Sequence, residues 1–198
     1  MDNVNISELN TRQKIINAAL TVAAKEGFAR ATTDQIARRA GVSEGIIYHY
    51  FKSKYDLCRD MIKESAEEFR QKLQAEITKY TSARKKLDRL IDFNFEYFAR
   101  KDNIFQAIYG KSGDTTVMMG HIFKVAIAPY LKIVEDIIKR GIKEGEFRDL
   151  DAKSAASSLL GIMQITIIRL HFGFERFSIK DAKDEIKRIF LEGVTKRG

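Results

Sequence analysis

A single proline, Pro129, stands in a chain of 198 residues, with only twelve glycines beside it. Sheets need frequent turn residues, so a sequence this poor in breakers favours long helices joined by short loops. Apolar residues make up 44% of the chain, enough for a packed core. The fold read from this pattern is all-α.

Hydrophobic spacing places the helices. Ile15, Ile16, Ala19, Leu20 and Ala23 repeat at helical intervals over residues 12–26, and Gly27 follows where a C-terminal cap belongs. Thr32 or Thr33 can cap a short helix that stops at Gly41, and Ser43 can cap another from Glu44 to Tyr50. Ser53 opens a fourth helix to about Tyr80, with Leu57, Cys58, Met61, Ile62, Ala66, Phe69, Leu73 and Ile77 on one stripe. Such a helix is roughly 40 Å long, too long for a small N-terminal unit alone. The domain boundary is therefore placed inside it or just before it, as residues 1–53 and 54–198.

Further on, helices are expected over Ala83–Arg100, Asn103–Tyr109, Thr115–Lys143 with a break at Pro129, Asp151–Phe172, and from Ser178 to about Lys196. The segment Lys111–Asp114 reads as a loop. The total is about nine helices: three in an N-terminal helix-turn-helix unit and the rest in a larger helical ligand-binding and dimerisation domain.

The spacing of Ala37, Gly41 and Ile47 carries the functional reading. A small residue lets a second helix cross closely, a glycine takes a left-handed turn at no steric cost, and a buried aliphatic residue locks the crossing. Ile36 and Val42 complete that core. The second helix is then left to present Glu44, Gly45, Ile46, Tyr48 and His49 outward, in a shape that fits the major groove of DNA. Thr33 sits at a helix N-terminus where a phosphate can bind, Tyr48 and Tyr50 can donate to backbone oxygens, and Lys52 and Lys54 add charge. Ile46 can pack on a thymine methyl or simply lie exposed.

The net charge of +8 suits nucleic acid, anionic lipid or plain solubility. Its distribution is more telling: residues 11–55 hold eight lysines and arginines against three acids. That excess fits a DNA-facing surface or a solvated face.

The run Thr32-Thr33-Asp34-Gln35-Ile36-Ala37-Arg38-Arg39-Ala40-Gly41-Val42-Ser43-Glu44-Gly45-Ile46-Ile47-Tyr48-His49-Tyr50-Phe51-Lys52-Ser53-Lys54-Tyr55-Asp56-Leu57 resembles the signature of the TetR family of bacterial transcriptional regulators. The match is dense over about residues 10–58, and Gly141–Arg148 resembles a stretch common in the same family. The resemblance implies a homodimer that binds a palindromic operator on double-stranded DNA, represses transcription, and is released by a small-molecule effector. It implies that the last two helices pair with their symmetry mates. By motif position it assigns DNA contacts to Thr33, Ser43, Glu44, Gly45, Tyr48, His49, Tyr50 and Lys54; Ile46 and Lys52 join them from their place on the same surface. Glu44 departs from the lysine or arginine often found there, so it is either a reader of a cytosine amino group or a charge favoured by the helix dipole.

Candidates for the effector site are Phe93, Tyr97, Phe105, Tyr109, Met118, His121, Ile122 and Gln164. Each is also an ordinary core residue type, but a polar Gln164 or His121 inside an apolar run needs a partner. The aromatic and methionine content suggests an apolar or amphipathic ligand. Arg169 suits a ligand carboxylate, a helix C-terminus or an interface ion pair. Ser157, Ser158 and Gly161 form a small-residue patch that suits a dimer bundle or an intrachain crossing equally.

An enzyme is not expected. His49, His121 and His171 have no metal-ligand spacing, and neither nucleophile-elbow nor phosphate-loop glycine motifs occur. No cofactor or metal is expected. The lone Cys58 suits a reducing cytoplasm, the N-terminus does not read as a signal peptide, and Ser154–Ile168 is too short to span a membrane. Two rival readings remain: a DNA-binding regulator without a small ligand, and a helical small-molecule carrier.

Overall fold

The computed structural model describes the backbone of residues 6–98, 116–172 and 178–195, and the side chains of residues 10–98, 119–170 and 178–195. Among these the fold is all-helical, apart from an isolated antiparallel bridge between Phe147 and Thr195. Contacts divide the chain into two compact units, one drawn from residues 1–67 and 100–126, the other from 68–99 and 127–198.

The first unit begins with α1 (Ile6–Glu26), α2 (Thr33–Ala40) and α3 (Glu44–Tyr50). Ile15, Ile16, Ala19 and Ala23 bury one face of α1, and the helix ends at Gly27, whose φ of 82° is left-handed. The cap of α2 is Thr32, not Thr33. Its side chain accepts from the Gln35 N–H while the Gln35 side chain accepts from the Thr32 N–H, a reciprocal box that satisfies two orphan donors. Ser43 holds the extended N-cap conformation of α3 but makes no side-chain capping bond.

Ser53 caps the long helix α4 (Lys54–Ile77), accepting from the Asp56 N–H at 3.1 Å. Leu57 and Met61 are fully buried in the first unit, while Phe69, Leu73 and Ile77 are buried in the second, so one apolar stripe serves two cores. Arg12 on α1 pairs with Asp60 at 2.6 Å and with Glu64, and its guanidinium lies 5.4 Å from the Phe51 ring centre. Burial disfavours that charge, but the two carboxylates outweigh it and hold the Arg12 pKa above its ordinary value.

The second unit adds α5 (Ala83–Phe98), α7 (Ala128–Lys143), α8 (Ala152–Phe172) and α9 (Ile179–Val194). Leu87, Leu90, Ile91, Phe95, Val134, Ile138, Leu159 and Met163 are among its driest residues. Lys187 reaches Asp92 at 2.7 Å and Asp88 at 3.1 Å, and Lys183 reaches Asp92 at 3.0 Å, fastening α9 to α5.

The expected segment at Thr115–Lys143 resolves into α6 (Thr116–Ile122), a π-helical turn (Phe123–Ile127) and α7. Pro129 lies in the first turn of α7, where its missing N–H is least costly. The interruption therefore falls before the proline, with the wider hydrogen-bond spacing of the π turn taking it up. The helix expected at Asn103–Tyr109 and the loop at Lys111–Asp114 lie outside the described residues.

Candidate nucleic-acid interface

Gly41 makes the turn between α2 and α3 with φ of 70°. Its N–H donates to the Arg38 carbonyl at 3.3 Å and the Val42 N–H to the Ala37 carbonyl at 3.0 Å. This paired closure of a helix end needs a left-handed residue at the glycine position. Ile36, Ala37 and Ile47 are buried at 0%, 3% and 1% exposure, so the small core inferred from their spacing exists.

With Ile47 turned inward, α3 shows solvent a continuous arc of Glu44, Gly45, Ile46, Tyr48 and His49, with Ser43 just before it. Tyr48 is 52% exposed and Ile46 38%, high for large apolar side chains without a partner. Tyr50 is half-buried, with the His49 ring edge-on to it at 5.2 Å. Thr33 does not leave its hydroxyl free for a phosphate: the hydroxyl donates to a Glu44 carboxylate oxygen and ties the start of α2 to the start of α3. Lys52 is exposed. Lys54 is half-buried; its ammonium donates to the Ala29 carbonyl at 3.0 Å and lies 4.9 Å from the Phe28 ring centre. Burial lowers its pKa, and that outweighs the nearby Cys58 thiol acting in the opposite sense.

A family model described as "Bacterial regulatory proteins, tetR family" matches residues 15–61, and one described as "YsiA-like protein, C-terminal region" matches residues 62–193. The chain belongs to the tetR family.

Among curated relatives of this tetR-family regulator is the fatty acid metabolism regulator protein of Bacillus subtilis, 25% identical over 91% of this chain and 94% of that one. Among solved structures, FadR from Bacillus subtilis in complex with stearoyl-CoA has a TM-score of 0.81 at 24% identity, covering 91% of this chain and 98% of that chain. A regulator from Saccharomonospora viridis in complex with choline has a TM-score of 0.83 at 20% identity, covering 94% and 98%. At these identities the two structures speak for the fold.

The candidate effector residues of the regulator fall in both units. Phe93 and Tyr97 on α5 come together in the second unit, their ring centres 5.9 Å apart. Sequence reasoning missed the rest of that cluster: Phe69 lies 5.5 Å from Phe93, 4.9 Å from Tyr97, 5.5 Å from Phe98 and 5.5 Å from Tyr130. It also missed Asn94, whose buried amide donates to the Tyr130 hydroxyl at 3.1 Å. Full burial pushes the Tyr130 pKa up, more than the Asn94 bond pulls it down. The signal was present in the run Phe93-Asn94-Phe95, where one amide sits between rings.

Gln164 is half-buried on α8, in the same unit. His121 and Ile122 belong to the first unit, where Ile122 is buried and His121 Nε2 lies 3.2 Å from the Arg59 carbonyl. That carbonyl is the partner His121 was expected to need. Phe105, Tyr109 and the Met118 side chain lie outside the described residues. No group of His, Cys, Asp and Glu among the described residues could hold a metal, and none of the described helices is long and apolar enough to cross a membrane. Cys58 is buried, and burial pushes its thiol up to about 12, more than the Lys54 charge lowers it.

Proposed function

We propose that this regulator is a sequence-specific repressor that binds a palindromic operator as a homodimer and is released by a long-chain acyl thioester. The observation that carries the DNA-binding half is the exposed arc of α3, braced by a buried Ile47 and hinged at Gly41. Ser43, Glu44, Gly45, Ile46, Tyr48 and His49 face base edges in this reading. Thr33, Tyr50, Lys52 and Lys54 flank them toward the phosphates, Thr33 through the unpaired backbone N–H of a first helical residue. The working division is a head of residues 1–53 and a sensing and pairing domain of residues 54–198.

Three features support the remainder. A relative matched over 91% of this chain is a fatty acid metabolism regulator, and a structure of the same fold was solved with stearoyl-CoA. The aromatic cluster around Phe69, Phe93, Tyr97 and Tyr130 supplies apolar surface suited to an acyl chain. On the last two helices Ile165 and Ile189 are each 55% exposed, and a side chain added at Gly161 or Gly193 would meet nothing within 4 Å. Exposed isoleucines beside open glycines suit close approach of a second copy.

Helix α4 contributes to both cores, so a ligand that displaces its C-terminal half acts on Leu57 and Met61 in the first unit. A ligand that favours the DNA-incompetent conformation ~100-fold removes ~2.7 kcal/mol of DNA affinity. Action on DNA places the protein in the bacterial cytoplasm.

The test is fluorescence-anisotropy binding to DNA from the protein's own promoter region, with footprinting and a salt titration. A symmetric footprint and steep loss of affinity with salt are expected, followed by release on adding stearoyl-CoA but not coenzyme A or choline. Binding without sequence preference removes the repressor reading. Specific binding indifferent to acyl-CoA removes only the effector.

A further inference from the structure

Helix α3 carries no lysine or arginine between Glu44 and Tyr50. The commonest specific contact in the major groove, a cation on the O6 and N7 acceptors of guanine, is therefore closed to this helix. In its place the exposed arc offers an acceptor-only carboxylate at Glu44, no side chain at Gly45, an aliphatic one at Ile46, and a phenol and an imidazole at Tyr48 and His49. Resting on the DNA-binding reading above, we propose that Glu44 is a base-reading residue that selects cytosine at one position in each half-site.

Two observations bear on this. Glu44 is exposed, and its Oε1 accepts from the Thr33 hydroxyl across the gap between α2 and α3. The carboxylate is thus held by a neighbouring helix, not by the amides of its own, as a charge serving only the helix dipole would be. One oxygen is occupied and the side chain loses much of its freedom, while Oε2 keeps its lone pairs. Gly45 sets no side chain beside it: an added Cβ would meet only the Ser43 Oγ, at 3.9 Å, so the backbone can come close to the groove floor.

The choice of base follows from which edges a carboxylate can tolerate. Guanine and thymine present acceptors that repel it. Adenine presents an amino donor, but its N7 acceptor lies beside it. Cytosine presents the N4 amino group with an acceptor on one side only, the O6 of its paired guanine, whereas the adenine amino group is flanked on both sides, by its own N7 and by the O4 of the paired thymine; Oε2 accepts from cytosine at the lower cost. In the negative field of DNA an unmatched Glu44 opposes binding, so the residue discriminates by rejection as well as by contact. Ile46, one residue on, suits a thymine methyl on the adjoining step.

The experiment is selection of preferred sites from randomised duplex DNA with the full-length protein. It compares wild type, Glu44→Ala, Glu44→Gln and Thr33→Val, each checked by circular dichroism for native helix content. Wild type should prefer cytosine about tenfold at one symmetry-related position. Glu44→Ala should lose the preference at that position alone and keep the rest of the palindrome. Glu44→Gln should move it toward adenine, whose N6 and N7 pair with a carboxamide. Thr33→Val, which frees the carboxylate, should blunt the preference without redirecting it. The proposal is overturned if all four proteins select the same base everywhere in a shared palindrome. If wild type selects no sequence at all, the regulator reading falls with it.

Discussion

Tyr48 shows what a single side chain can be asked to do. It is half exposed on a helix that carries no lysine or arginine, and its hydroxyl has reach toward a phosphate or base. Tyr48→Ala should weaken operator binding by about 1–3 kcal/mol, measured by anisotropy, with the melting temperature unchanged. Full retained affinity would remove the assigned contact. Asn94 and Tyr130 present the opposite case, a polar pair sealed among rings. Tyr130→Phe leaves the Asn94 amide without that acceptor and should cost about 1–3 kcal/mol in urea unfolding, whereas Asn94→Leu with Tyr130→Phe should recover part of the loss. Neither residue was visible as a pair in the sequence. They stand 36 positions apart, and only the crossing of α5 and α7 joins them.

At the scale of elements, local chemistry made most of the fold legible. The starts at Thr32, Ser53 and Ser178, and the ends at Gly27 and Gly41, follow from capping side chains and left-handed glycines that act within a few residues of themselves. The least legible were devices spanning long distances in the chain. Glu146 is the clearest. Its carboxylate accepts from the Ser82 hydroxyl at 2.6 Å and from the N–H groups of Ala83 and Arg84 at 2.8 and 3.1 Å, capping α5 from 63 residues away. The stretch Gly141–Arg148 thereby gains a physical reason. Phe147 lies so close to Gly141 that an added Cβ would stand 2.2 Å from its ring and 2.9 Å from the Ala83 Cβ. Gly141→Ala should therefore destabilise the second unit by about 1–3 kcal/mol or more. A melting temperature equal to wild type would show that the ring can move aside.

For the whole molecule, charge decides how stability varies with pH. Burial raises the Asp92 and Glu146 carboxyls, but the lysines around Asp92 and the three donors on Glu146 outweigh it and hold both below their ordinary values of 3.8 and 4.5. Their contribution is complete above the unfolded values and fades as pH falls through the depressed folded ones. Lys187 is raised above 10.5 by Asp92 and Asp88 against burial, so its share holds below that value and is lost as pH climbs past the folded one. The urea midpoint should be flat near neutrality and fall below about pH 4, with Asp92→Asn flattening the acid limb. An unchanged acid limb in that variant would assign acid unfolding to other groups. At this scale the sequence showed a basic, all-helical molecule. It could not show which residues of α4 serve each core, because one apolar stripe looks the same whichever partner covers it.

Gly45 carries a consequence for how such a protein can change. In the unbound state a Cβ at this position would make only an ordinary contact with the Ser43 Oγ, at 3.9 Å, and alanine there should strengthen the helix by up to about 1 kcal/mol. What opposes alanine must then come from the DNA alone. A library varied at position 45 would then separate two kinds of selection, yielding proteins that fold alike and differ only in the promoters they recognise. Thermal melts that track operator affinity across that library would show the two to be linked after all.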